Sequence, residues 1–267
     1  MTLFLLPPFA QHWENKDAFA EAGRIEGQVY RVMPGRRTLR AEIGGRGYFV
    51  KIHQGVGWRE IFKNLLTGRL PVLGAAQEWR ALQRLAAAHV PTMRAAAFGE
   101  RGRNPARRQS FLITEEITPA IDLETLTQSW QAAPPARALK YALIRALAEL
   151  VRNMHRAGVN HRDCYLCHFL LRTEDWETTA APLVVIDLHR AQTRAVVPRR
   201  WRDKDLAALY FSALDIGLTR RDKLRFLRRY FARPLRDILQ EEAALLVWLE
   251  KKAARLMTRF EKHKERL

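Results

Sequence analysis

The chain has 267 residues, 48% hydrophobic and 28% charged, which suits a folded protein of one domain or two lobes and excludes a disordered or fibrous chain. A formal net charge of +18 points to an anionic partner: an anionic lipid, nucleic acid or an acidic protein. Two cysteines, Cys164 and Cys167, imply no disulfide framework and fit a reducing compartment, and no apolar run approaches the ~18 residues of a membrane span.

In chain order, residues 3–10 are apolar but contain Pro7 and Pro8 and lack a basic leader, so they read as a packed N-terminal segment and not a signal peptide. Short strands are predicted over 29–32, 38–43 and 47–53, separated by turns at Pro34-Gly35 and Gly44-Gly45. Residues 55–74 look like an insertion. Residues 75–88 have helical spacing, with Trp79, Leu82 and Leu85 on one side. Strands over 93–98 and 110–117 flank the basic loop Arg101-Gly102-Arg103-Asn104-Pro105. After Thr118-Pro119 the character changes. Leu139, Leu143, Leu147, Leu150 and Met154 stripe a long helix that Gly158 terminates. Helices are expected over 204–216, 220–231 and 241–262. The expected architecture is α+β and bilobal, with a β-rich N-lobe over 1–117 and a mostly helical C-lobe over 118–267.

Chemistry concentrates at His161-Arg162-Asp163, in a polar loop between the long helix and a new apolar strand. These are the letters that open a kinase catalytic loop. Asp187 ends the buried run Leu183-Val184-Val185-Ile186, where an unpartnered charge is costly. One acid orients a hydroxyl nucleophile as base, and the other holds magnesium on the phosphates of ATP. Each acid alone also reads as a loop cap or an ordinary strand-terminal carboxylate. Lys51 is the one cation in Tyr48-Phe49-Val50-Lys51-Ile52, suited to phosphates or to solvent at a sheet edge, and Glu78 on the following helix is its candidate partner. Asp205 reads either as a helix cap or as a brace beneath the catalytic loop. Cys164-Tyr165-Leu166-Cys167-His168 has the letters of a haem-attachment motif, and with His161 it makes a zinc set on paper. Haem attachment requires export, however, and four ligands within eight residues leave little room to wrap a tetrahedral ion.

Taken together, the loop, the strand lysine and the strand-end acid resemble the protein-kinase-like superfamily. The run from His161 to Leu171, the Arg36-Arg37-Thr38 turn and Phe49-Val50-Lys51-Ile52-His53 resemble the lipopolysaccharide core heptose (I) kinase family of Gram-negative bacteria. That resemblance implies a protein-kinase-like fold and transfer of the ATP γ-phosphate to an inner-core heptose, with ATP and Mg²⁺ as cofactors, at the cytoplasmic face of the inner membrane. It implies Asp163 as base within His161-Arg162-Asp163, Lys51 on the phosphates with Glu78 beside it, and Asp187 on magnesium. His168 stands where kinases place a metal-binding Asn, and imidazole is a poor magnesium ligand. Asp187-Leu188-His189 lacks the glycine that usually follows the acid. No glycine-rich loop precedes Lys51, so Gly35 with Arg36, Arg37 and Thr38 is the candidate phosphate-covering turn.

Residues 188–236 hold 14 Lys/Arg against 4 Asp/Glu, a surplus expected to draw an acidic acceptor. The C-terminal helix, with Leu245, Leu249, Leu256 and Phe260 on one side and Lys251, Lys252, Arg255, Arg259 and Lys262 elsewhere, is a candidate for an anionic bilayer, for an acidic partner such as an acyl carrier protein, or for the core. Competing readings are a protein kinase, tyrosine included, and a non-enzymatic binder of anionic surfaces; nucleic acid is the less expected partner. A binder has no use for the two acids.

Overall fold

A computed structural model describes residues 1–33, 35–66, 73–174 and 181–264, the side chains of 60, 64, 65 and 260–264 excepted. Pro34 of the first expected turn, residues 67–72 of the expected insertion and the side chains of Phe260 and Lys262 thus lie outside the described residues. The chain divides into two compact units. The first comprises Met1–Gln83, Met93–Ile117 and Leu188–Arg190, and the second Arg84–Thr92, Thr118–Asp187 and Ala191–Leu267.

The first unit contains, in order, β1 (Thr2–Leu5), α1 (Phe9–His12), α2 (Ala18–Arg24), β2 (Gln28–Met33), β3 (Arg36–Ile43), β4 (Arg46–His53), α3 (Gly57–Leu66), α4 (Ala76–Ala87), β5 (Ala95–Arg101) and β6 (Gln109–Glu115). The strands form one antiparallel sheet in the order β1-β5-β6-β4-β3-β2. The period of two along a strand fixes its faces. Leu39 and Ala41 of β3 and Tyr48, Val50 and Ile52 of β4 join Phe9, Trp13, Ala18, Ala22 and Phe111 in one buried cluster. Phe9 meets Trp13 and Tyr48 edge-on, at 5.1 and 5.2 Å between centroids. The apolar N-terminal segment therefore supplies an edge strand and a short helix to this core. Lys51 and His53, the alternate residues of β4, are buried as well.

The expected insertion starts with a helix, α3. Gly35 sits at φ +71°, and a Cβ there would meet the Gly55 carbonyl oxygen at 2.1 Å. A side chain at this position would clash as well as strain the backbone.

In the second unit follow β7 (Ala120–Asp122), α5 (Leu123–Thr127), α6 (Arg137–Arg156), β8 (Val159–Asn160), a 3₁₀ turn at Leu166–His168, β9 (Phe169–Arg172), β10 (Leu183–Val185) and β11 (Gln192–Thr193). The helices α7 (Arg199–Ser212), α8 (Arg220–Phe231), α9 (Leu235–Glu241) and α10 (Ala243–Lys264) complete it. The strands make two small antiparallel sheets, β10-β9-β7 and β11-β8. The α6 stripe is core, with Leu143, Leu147, Leu150 and Met154 all buried.

Two expectations are corrected here. The helix expected over 204–216 begins five residues earlier, because Pro198 enters it in extended conformation and Arg199 to Asp203 complete its first turns. Asp205 is accordingly not a cap but a buried residue inside α7. In α10, Leu245 and Leu249 are buried, which settles that part of the helix as core packing and not as a bilayer face.

Candidate active site

The first unit buries an ion pair. Lys51 Nζ donates to Glu78 Oε1 at 2.7 Å, with both side chains nearly inaccessible. Glu78 reaches this position because α4 is clamped by its next residue. Trp79 stacks on Phe98 of β5 at 4.8 Å and meets Phe4 of β1 at 4.7 Å. Removing either member of such a pair strands a buried charge, at a cost of about 3–5 kcal/mol.

The strand register sets Thr38 directly opposite Lys51 and Arg36 opposite His53. Gly35 accepts a hydrogen bond from the Gln54 amide, closing the turn next to this pair. Arg37, on the other face of β3, donates to the Ile25 carbonyl and is engaged by its own fold. The His53 imidazole is pushed down to about 3 by burial, then by the neighbouring Arg36, Lys51 and His189.

The second unit holds the two acids. Asp205 is the hub of the His161–Asp163 loop: Oδ2 accepts the His161 amide at 2.6 Å and Oδ1 accepts the Arg162 amide at 2.8 Å. His155 Nε2 donates to Oδ2 at 3.1 Å, which leaves His155 Nδ1 to accept the Tyr230 hydroxyl at 2.7 Å. Burial pushes the Tyr230 phenol far up, so it stays a donor. Three donors around one carboxylate compensate its burial. They also hold Arg162 at φ +72°, a left-handed conformation rare outside glycine.

Gly158 sits at φ +80° below this loop. It does more than end α6, since a Cβ there would meet the Arg194 carbonyl oxygen at 2.0 Å. The β8–β11 ladder that seats the loop requires that approach.

His161 links the two acids' backbones. Its Nε2 donates at 2.9 Å to the carbonyl of Ile186, the residue before Asp187. The ring is buried, and burial above all lowers its pKa, so it acts as a neutral donor. His168 lies flat against it at 5.2 Å.

His168 Nδ1 lies 2.6 Å from the Asp163 carbonyl oxygen, which can only accept, so Nδ1 carries the proton. His168 Nε2 lies 3.7 Å from Asp187 Oδ2. Asp187 itself sits at φ +55°. Adjacent ligands of an octahedral magnesium stand about 2.9 Å apart, so this pair is wider than a finished magnesium site, and the carboxylate of Asp187 is the better ligand of the two. Among the described residues no group of three or more His, Cys, Asp or Glu gathers at a metal-binding spacing. A single carboxylate such as that of Asp187 fits a cation whose shell is completed by phosphate oxygens and water.

The cysteine motif divides. Cys164 is fully buried and its thiol is pushed far up, by burial before Asp205 and Asp163. Burial, then Glu124 and Asp122, raise Cys167 to about 11. Both are therefore thiols at neutral pH, and metal or disulfide chemistry needs thiolates. His161 and His168 already spend one ring nitrogen each on carbonyls.

Of the residues expected from the sequence, Lys51 and Glu78 meet, and Thr38 flanks them. His161, Arg162, Asp163, His168 and Asp187 share the second unit's loop system. Sequence reading missed His155, Tyr230 and Gly158 as its supports. Their only signals were a buried-type tyrosine and a histidine on an otherwise apolar helix face.

A family model described as the lipopolysaccharide kinase (Kdo/WaaP) family matches residues 21–230. The lipopolysaccharide core heptose(I) kinase WaaP of Pseudomonas aeruginosa is 61% identical over 265 residues, covering 98% of each chain. The protein of the same description from Escherichia coli is 52% identical over 256 residues, covering 96% of this chain and 97% of the relative. A solved structure of WaaP in complex with acyl carrier protein matches with a TM-score of 0.86 and 57% identity, covering 96% of this chain and 99% of that one.

Proposed function

The chain belongs to the lipopolysaccharide kinase (Kdo/WaaP) family, and from that premise we propose that it transfers the γ-phosphate of ATP to a hydroxyl of a heptose in the lipopolysaccharide core. The observation that carries this reading is the braced loop. Asp205 fixes the backbone of His161 and Arg162 so that Asp163 is presented from a preorganised turn. Asp163 accepts the proton of the sugar hydroxyl as it attacks. Lys51, held by Glu78, contacts phosphate oxygens as a fixed cation. Gly35 with Arg36, Arg37 and Thr38 is the candidate phosphate-covering turn: Arg36 and Thr38 share the sheet face of Lys51, with Thr38 opposite it in register, while Arg37 lies on the other face.

Asp187 would hold magnesium through a carboxylate oxygen, and His168, 3.7 Å from it, would stand at the second position of that site. When bound, magnesium–ATP supplies a phosphoryl group whose charge the cation spreads. His161 positions the loop against Ile186 and thereby keeps base and metal ligand in one frame.

Two partners follow from the same premise. The first is an acidic acyl carrier protein, which the +18 charge attracts. The second unit also holds an apolar cavity of about 310 Å³ among Leu143, Ile144, Leu206, Leu209, Phe226 and Leu227, suited to an acyl chain. The second partner is an anionic bilayer surface at the cytoplasmic face. Among the described residues no helix is long and apolar enough to cross a membrane. On α3, however, Trp58, Phe62 and Leu66 stand exposed beside Arg59 and Lys63.

The reading is tested by incubating the protein with magnesium, ATP and inner-core lipopolysaccharide whose heptose is unphosphorylated. Mass spectrometry of the released core is expected to show one added phosphoryl group on a heptose. Transfer to protein acceptors alone, or to none, would overturn it.

A further inference from the structure

Four cations of the second unit surround one indole. Around Trp201, in the first turn of α7, stand Lys204 at 4.3 Å, Arg200 at 4.6 Å, Arg194 at 5.7 Å and Arg162 at 5.8 Å from the ring centroid. Four cations drawn from three segments thus converge within 5.8 Å of one ring centroid.

The neighbouring cations are neutralised by the fold. Arg199 and Arg202 reach Glu242 at 3.0 and 3.3 Å. Three of the cluster are not: Arg194 donates to the neutral amide oxygens of Asn160 and Gln192 at 2.6 and 2.7 Å. Among the described residues no carboxylate lies within ion-pair distance of Arg194, Arg200 or Lys204. Burial first, and then the neighbouring Arg200, Lys252 and Arg162, lower the Lys204 ammonium from 10.5. Arg200 and Lys204 also wall a depression of about 410 Å³ with Asp203, which Arg199 and Arg202 engage, and with Trp248 of α10. The exposed Trp248 offers an apolar surface beside the cations. Arg162 ties the cluster to the chemistry, because the next residue is Asp163.

We propose that the Trp201 cluster is an acceptor subsite that seats an anionic group, carboxylate or phosphate, of the glycolipid whose hydroxyl Asp163 deprotonates. The proposal rests on the kinase reading and extends it. Guanidinium forks bind such groups through paired hydrogen bonds, and an anion here relieves repulsion already present in the folded chain.

The test measures calorimetric binding of unphosphorylated inner-core lipopolysaccharide in detergent, without nucleotide, beside turnover with magnesium and ATP. Arg200→Glu and Lys204→Glu are each expected to weaken binding and raise the acceptor KM about tenfold or more, with kcat and the KM for ATP nearly constant. Arg200→Lys should restore most of the affinity. Arg236→Glu, an exposed reversal outside the cluster, should change neither. Enzymatic removal of the lipid phosphates separates the sources. If the difference between wild type and variant vanishes on the stripped acceptor, the seated group is phosphate, and if it persists, carboxylate. Unchanged binding in both reversals overturns the subsite while leaving the kinase reading standing. Weakened binding in a protein that turns nothing over upholds the subsite and overturns the kinase reading.

Discussion

Asp163 and Asp205 are both acids of the same loop system, yet their replacement should fail in different ways. Asp163→Asn keeps the shape and removes the proton acceptor, so kcat should fall by about 10²–10⁴ while nucleotide affinity and melting temperature stay near wild type. A variant with wild-type turnover would remove Asp163 from the role of base. Asp205→Ala leaves the amides of His161 and Arg162 and the ring of His155 without their acceptor. It should lose about 3–5 kcal/mol of stability together with activity, and a melting temperature unchanged by the substitution would show that the brace is dispensable. His53 gives a pH signature of its own. Its unfolded imidazole titrates near 6.5, but in the folded chain burial and nearby cations hold it at about 3. Below about pH 6.5 the unfolded chain takes up a proton that the folded chain refuses, so stability is lost as pH falls from 6.5 toward 3. Wild type should lose about 2 kcal/mol more than His53→Gln between pH 7.5 and 5 in urea unfolding; equal losses would mean that His53 charges freely when folded. The candidate acids and Lys51 were legible because each is marked by local contrast, a charge inside or at the end of an apolar run. The support network was not. Asp205 offered two readings in sequence, and only the fold, which brings it to residues 44 and 43 positions earlier, decides for the brace. The Trp201 cluster was half visible in Arg199-Arg200-Trp201-Arg202, but Arg162 and Arg194 join it from other segments, and two of the visible arginines turn out to pair with Glu242.

Strands and long helices followed their periodicity closely, since a period of two or 3.6 with one buried face needs no tertiary information. The 220–231 helix matches α8 residue for residue, helped by a capping box of Thr219 and Asp222. Elements whose order comes from packing were missed: β1 as an edge strand, α1 and α2 as the cover of the aromatic core, and α3 inside what looked like an insertion. That last helix carries the element-scale prediction. Trp58, Phe62 and Leu66 are 50%, 57% and 88% exposed, and their spacing of four lines them along one face. Trp58 and Phe62 stack at 5.8 Å, a preformed apolar surface that water would otherwise face. Trp58→Ser with Phe62→Ser should weaken sedimentation with phosphatidylglycerol-containing vesicles at least about tenfold and leave turnover on detergent-dispersed acceptor intact. Vesicle binding equal to wild type would move the membrane contact elsewhere on the basic surface.

At the scale of the whole molecule, the +18 charge was plain from composition, but composition does not say which anion it serves. The apolar cavity was not legible at all. Its lining is drawn from separate helices, and Leu143, Leu147, Leu206 and Leu209 each read as ordinary core; the space among them exists only after the helices pack. Charge and cavity together predict how an acyl carrier protein should act. A partner that binds only the folded chain stabilises it by mass action, about 2.7 kcal/mol at a hundredfold excess over Kd. Acylated carrier is therefore expected to raise the melting temperature clearly, and carrier stripped of its acyl chain to raise it less, because the second form uses charge alone. Salt should erode the common part, since exposed charges are screened over about 8–10 Å at physiological ionic strength. It should spare the difference between the two carriers, which rests on apolar contact. Ala213→Trp places bulk into the cavity lining and should abolish that difference while keeping the salt-sensitive part. If acylated and stripped carriers protect the wild-type protein equally, the carrier docks by electrostatics and the cavity has no acyl guest.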